Sequence, residues 1–259
     1  MKMDNLVRFL RRLPAAGIFI FAALAACISC STRLNCEIHG DGRADMVLNS
    51  ALLPAMNGLL KNLAARSGGE NDAPVLDASL INKALARMTG IESAALRNTA
   101  ENNMDGRIVI SNIGLFFNHA ADAVSKQNAI KQIPLAVWEQ TPYGGSFKAA
   151  INRDTGQQLL SLLTPELVDY LSALMAPIAT GEIIDKAAYL ELVSSVYGKT
   201  IAAELPRAEL LLAIDFPGPV EYISGGAYRG NHTEFKLPLL DLLVLDKAVV
   251  YEVRWTPWR

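Results

Sequence analysis

Three histidines, His39, His119 and His232, are the side chains of this 259-residue chain best suited to moving a proton near neutral pH or ligating a metal. They stand far apart in sequence, and none has a second ligand at a spacing such as His-Glu-x-x-His. A nucleophilic serine needs a Gly-x-Ser-x-Gly elbow to expose its hydroxyl; Ser224 precedes Gly225-Gly226, but Tyr222 occupies the position of the first glycine. Gly225-Gly226-Ala227-Tyr228-Arg229-Gly230 lacks the lysine and hydroxyl of a phosphate-binding loop and reads as a hairpin turn. Asp215, Glu221, Asp241 and Asp246 offer carboxylates at no spacing that demands an acid and base pair, so each is expected in solvent. The chain is therefore expected to be no enzyme and to need no cofactor or metal, unless scattered residues converge in space.

The one residue whose surroundings specify chemistry is Cys27. Lys2, Arg8, Arg11 and Arg12 precede an apolar stretch over 15–26 that ends in small residues, the layout of a secretory leader. That stretch is short for a bilayer, which takes about 20 apolar residues to span as a helix. Leu24-Ala25-Ala26-Cys27 resembles the lipobox of bacterial lipoproteins at every position. The resemblance implies a signal peptide over 1–26 cut after Ala26, a diacylglycerol thioether on Cys27, and attachment to a membrane of the cell envelope, facing the periplasm or exterior. Acyl chains anchor because each buried methylene contributes about 0.8 kcal/mol. A soluble secreted product, an uncleaved leader and lipidation at Cys30 are the alternatives; Cys30 lacks the leucine at the matching position. Whether Cys30 and Cys36 pair in an oxidising compartment stays open.

Without the leader, the 24 Lys and Arg fall by four and the 26 Asp and Glu by one, leaving 20 against 25 and a formal charge near −5. That balance does not attract a phosphate backbone, so nucleic acid is not an expected partner. With 51% hydrophobic and 19% charged residues, the body is expected to fold around a core held by packing rather than crosslinks.

Periodicity then places the elements. Residues 27–35 read as a lipidated tether, and 36–259 as a single α+β envelope domain. Leu52, Leu53, Met56, Leu59, Leu60 and Leu63 predict an amphipathic helix over 52–66, and a second is opened by Asp77 or Ser79 and closed at Thr89-Gly90. Strand-formers around 93–99 and 107–113 flank the turn signal Asn102-Asn103-Met104-Asp105-Gly106, and segments 135–139 and 146–152 flank Thr141-Pro142-Tyr143-Gly144-Gly145. Helices are predicted over 115–126, 159–163, 167–175 and 183–197, the last closed by Gly198. Strands follow over 208–215, 220–224, 233–237 and 248–255, with 239–245 too short to assign. The expected fold is α+β, a largely antiparallel sheet with amphipathic helices packed on one face.

Phe216-Pro217-Gly218-Pro219-Val220, then Gly225-Gly226 and Gly230-Asn231 before an extended run, is similar to the closing part of the LppM-type lipoprotein domain. Asp41-Gly42 matches the Asp-Gly that opens that domain. The resemblance implies an α+β lipid-anchored domain and, for some members, contact with lipids or glycolipids; the predicted helices over 155–197 depart from the pattern. Without the family, Phe-Pro-Gly reads as a tight turn between antiparallel strands. Asn231-His232-Thr233 is a glycosylation triplet by chance in a protein carrying a lipobox. Arg254-Trp255-Thr256-Pro257-Trp258-Arg259 suits either a membrane interface or, preferably, a strand end whose Trp255 covers the core. The functions in contention are binding of an apolar or lipid ligand or of a partner protein, a hydrolase assembled from scattered residues, and a structural assembly role.

Overall fold

The computed structural model describes residues 30–66, 77–86, 88–116, 136–153 and 182–257. Strand β1 (Cys30–Ile38) pairs antiparallel with β2 (Ala44–Leu52), from Cys30 opposite Leu52 to Ile38 opposite Ala44. Thr32, Leu34, Cys36 and Ile38 on β1, with Ala44, Met46, Leu48, Ser50 and Leu52 on β2, form one buried face by simple alternation. The tether expected to run to residue 35 is thus the first half of a strand. Its polar composition misled because Thr32 Oγ1 and Ser50 Oγ, both buried, satisfy one another at 2.9 Å and so are tolerated on an apolar face. The same strand answers the cysteine question. Cys30 and Cys36 lie six residues apart along extended backbone, about 20 Å at the strand rise, well beyond disulfide reach. Cys36 is a free, buried thiol pushed up to about 12 by burial and then by the charges of Asp215, Asp45 and Glu37.

After β2 come α1 (Pro54–Arg66), α2 (Ala78–Leu85), β3 (Ile91–Ala100) and β4 (Asn103–Ile110). The β3–β4 hairpin turns at residues 101–102, ahead of most of the sequence signal, so Asn103 to Gly106 already belong to β4. A helical turn at 113–116 begins the helix predicted over 115–126; the remainder, with the predicted helices at 159–163 and 167–175, lies outside the described residues. The hairpin β5 (Ala136–Thr141) and β6 (Gly144–Ile151) forms where predicted. Asp185 caps α3 (Lys186–Tyr197) by accepting from Ala188 N, and Gly198 closes it. A short α4 (Lys199–Glu204) and a 3-10 turn over Leu205–Arg207 lead into β7 (Glu209–Asp215), β8 (Val220–Ser224), β9 (Ala227–Arg229) and β10 (His232–Pro238). The unassigned 239–245 segment holds α5 (Leu239–Val244), and β11 (Val249–Trp255) completes the described chain.

These strands make two sheets. The larger has the order β3-β4-β2-β1-β7-β10-β9, antiparallel except for the central β1–β7 pair, which is parallel; the smaller is β5-β6-β11-β8, antiparallel throughout. The Phe216-Pro217-Gly218-Pro219 segment is therefore not a turn inside one sheet but a corner that carries the chain from the large sheet at β7 to the small one at β8. A Cβ at Gly218 would sit 1.7 Å from the Thr256 carbonyl oxygen, so glycine is what lets the corner pack on the C-terminal strand. Gly225, at φ +83°, returns the chain to the large sheet as β9, where a hairpin turn alone was expected.

The space between the sheets is filled with rings. Trp138, Phe147, Tyr251 and Trp255 from the small sheet meet Phe235 from the large one and Phe216 from the corner, with centroids 4.5 Å apart for Phe235 and Tyr251 and 4.7 Å for Trp255 against both Trp138 and Phe216. Trp255 is buried, as its preferred reading required. A second, aliphatic cluster joins Met56, Tyr189, Val193, Ile201, Leu205, Leu239, Leu243 and Val244 from α1, α3, α4, the 3-10 turn and α5. Apart from α2, which lies against β3, these helices gather at one end of the sheets rather than across one face. They adjoin the strand ends Leu52, Glu209, Pro238 and Val249, the end from which β1 starts.

Candidate functional site

The chemistry-bearing residues converge at the opposite end, where β1 finishes. The His39 to Arg43 loop closes on itself: His39 N–H donates to Arg43 O at 2.8 Å and Gly42 N–H to His39 O at 3.0 Å. Asp41, one of the pair thought to mark the domain opening, spends its carboxylate on Arg43 N and Nε at 3.0 and 2.7 Å. Beyond the loop, His39 Nε2 lies 3.0 Å from Asp45 Oδ2, and Arg107 from β4 donates through Nε to Asp45 Oδ1 at 3.1 Å. Those hydrogen bonds, from His39 first and Arg107 second, hold the Asp45 carboxyl below the usual carboxylate range.

A second imidazole sits in the same tier. His232 Nδ1 is 2.8 Å from Asp215 Oδ1, with Glu234 Oε1 3.9 Å from its other nitrogen. Strand register explains the grouping: Asp45 faces Glu37, Glu37 faces Asp215 and Asp215 faces His232 across β2, β1, β7 and β10. One row on the outer face of the large sheet thus carries three carboxylates and an imidazole. Beside it opens a depression of about 430 Å³ lined by Glu37, His39, Asp215, Phe216, Pro217 and Asn231. Asn231 donates from Nδ2 to Phe216 O at 3.1 Å, bracing the corner.

Two of the three histidines are therefore brought together with acids, while His119 lies outside the described residues, as does Cys27. What the tier lacks is a nucleophile: among the described residues, the partners of both imidazoles are carboxylates, with no hydroxyl or thiol. Ser224 lies on the small sheet opposite Glu252. Cys36 points into the core with its thiol protonated. The other acids do not join either. Asp241 holds Lys186 at 2.5 Å among the helices, and Glu221 and Asp246 are exposed. Asp45, Glu37 and Arg107 were missed in the sequence. The signal that could have found the first two was the Gly40-Asp41-Gly42 turn, which fixes a hairpin register setting residue 37 opposite residue 45.

A second open depression, about 490 Å³, lies between α2 and β3. Its polar groups are already committed: Asn82 bonds both Leu96 N–H and Leu96 O, and Asn98 Oδ1 accepts from Ala78 N. Metal-holding groups of three or more His, Cys, Asp or Glu are absent among the described residues, and no described helix is long and apolar enough to cross a membrane.

Comparison with known proteins adds a loose structural likeness. The chain matches no protein-family model and no curated protein. Among solved structures it is similar to the NMR structure of the folded domain of Mycobacterium tuberculosis LppM, at 10% identity and a TM-score of 0.40, over 89% of this chain and 91% of that one. A likeness that loose supports no statement about residues or ligands.

Proposed function

We propose that this chain is a non-enzymatic lipoprotein of the bacterial cell envelope, held to a membrane by acyl chains on Cys27 and acting through its surface on a partner protein or a lipid. The observation that carries the first half is the Leu24-Ala25-Ala26-Cys27 lipobox behind a basic, apolar leader. Its test is fatty-acid labelling in the native host: the unaltered chain takes up label and partitions into detergent, and Cys27→Ser does neither. A Cys27→Ser protein that keeps its label ends the proposal.

The second half is supported by how the interior and the histidine tier are filled. Among the described residues, six aromatic rings occupy the space between the sheets, which supports binding at an open surface rather than between them. The acidic row of Asp45, Glu37 and Asp215 suits a basic or hydrogen-bond-donating group of a partner protein better than a phosphate. A hydrolase reading draws on the two His–Asp pairs, which supply a base and its orienting acid but, among the described residues, no group to attack with. Crosslinking in intact cells from residues 37 and 232 separates these readings: a discrete protein adduct favours the partner, and adducts to lipid alone favour a lipid ligand.

A further inference from the structure

The lipobox cysteine and the first strand are too close for the folded body to hang free of the membrane. Only three residue steps separate Cys27 from Cys30, where β1 begins, and a chain that short reaches about 10 Å at full extension. β1 starts among the helices, at the end of the sheets where α1, α4, α5 and the aliphatic cluster sit. The helical end must then lie against the bilayer that holds the acyl chains. The histidine tier, at the other end of a nine-residue strand, stands about 30 Å further out.

That end carries apolar surface left exposed among the described residues. On α3, Tyr189 and Val193 are buried in the aliphatic cluster, but the neighbouring stripe at four-residue spacing, Ala188, Leu192 and Val196, faces solvent, with Leu192 43% and Val196 61% exposed. Ile183, just before the helix, is 85% exposed. The apolar face of α3 is thus wider than its core needs, while Glu191 and Ser195 mark its polar side. A helix of this kind lying at the headgroup boundary buries such side chains in acyl chains.

We propose that the exposed stripe of α3, Leu192 and Val196 with Ile183 beside it, is a membrane-docking surface that seats the domain on the bilayer in a fixed orientation, histidine tier outward. The proposal rests on acylation at Cys27, and the experiment separates the two. Full-length protein, lipidated in a bacterial host, is reconstituted into phosphatidylcholine vesicles containing a brominated phosphatidylcholine. In a Cys30→Ser background, an environment-sensitive fluorophore is attached at Leu192→Cys, at Val196→Cys or, as the outward control, at Asp41→Cys; all three positions are exposed. Bromolipid quenches the labels at 192 and 196 and leaves the label at 41 unchanged. Equal, water-like emission at 192 and 41 overturns the proposal, and so does a label at 192 that is shielded but not quenched, because protein then covers the stripe. The mass of the N-terminal peptide reports the anchor independently. Acylated Cys27 without quenching sinks only the docking surface, whereas unacylated Cys27 removes the spacer argument and the anchor together.

Discussion

The two hydrophobic cores of this molecule are stabilised in different ways. Between the sheets, long strands set aromatic side chains against one another, and the contacts join residues as distant as Trp138 and Trp255. At the helical end the elements are short: α4 and α5 have six residues each, too few to be stable on their own. There, charged side chains finish what the helices cannot. Glu204 at the end of α4 accepts from Ala55 N at 3.1 and 3.0 Å and from Met56 N at 3.2 Å, capping α1 from a distance. Arg153 donates to the carbonyls of Leu245 and Val244 at 3.2 and 3.4 Å, where α5 ends. The sandwich is held mainly by aromatic packing, with a few buried hydroxyl contacts such as Tyr251 to Thr233; the helical end is held by packing and long-range capping.

The largest effect that would sharpen this contrast is expected from Trp255→Ala. It removes a ring packed against two others from a site 4% exposed and costs about 3–5 kcal/mol, read as a lower midpoint in chemical denaturation. If the protein loses less than Glu204→Gln does, the sandwich is not the dominant core. Glu204→Gln weakens two capped backbone donors and is expected to cost about 1–2 kcal/mol. Amide exchange should rise in α1 and α4 while β6 and β11 keep their protection. Uniform loss of protection would show that the two ends are one cooperative unit.

Tyr251→Phe tests a polar contact inside the sandwich. Tyr251 donates to Thr233 Oγ1 at 2.7 Å, and Thr233 donates onward to Ile214 O at 3.1 Å, so losing the phenol costs about 1 kcal/mol without uncovering Thr233's own donor. The intact phenol, which burial pushes up to about 12, should show no tyrosinate absorbance until the fold is lost in alkali. The smallest effect belongs to the tier. Asp45 has a depressed folded value, so its contribution is complete above the ordinary carboxylate pKa of about 3.9 and is lost as pH falls through the lower folded value. Its partners are partly exposed, which limits the contribution to about 1 kcal/mol or less. Denaturation curves of the unaltered chain and Asp45→Asn should therefore differ at pH 6 and converge as the pH falls through the depressed Asp45 value.

Elements with a local signal were legible in the sequence. The β5–β6 hairpin follows from its Pro-Tyr-Gly-Gly turn, α3 from its spacing and Gly198, and β11 from its alternation, which also put Tyr251, Val253 and Trp255 on one buried face. What failed was whatever depends on partners distant in the chain. Nothing near Phe216-Pro217-Gly218 says that the next strand joins a different sheet, since only Thr256, some forty residues on, makes the corner tight. The first half of β1 reads as a tether because Thr32 looks solvent-facing until Ser50 is set beside it. The histidines were judged isolated because their carboxylates come from neighbouring strands, and register is invisible until the strands are paired. α5 went unassigned because five apolar residues around Asp241 are too few to show a period.

The parallel pairing of β1 with β7, Ser31 beside Glu209 and Glu37 beside Asp215, sets an order of events for the newly made chain. β1 and β2 can close as a hairpin as soon as both have emerged, yet the other edge of β1 stays open until nearly the whole polypeptide has followed. Such a distant closure is slow, and any product shortened before residue 209 would present an unfinished apolar edge to its neighbours. Completion of the chain is built into the middle of the sheet, so fragments are marked as incomplete by their own stickiness.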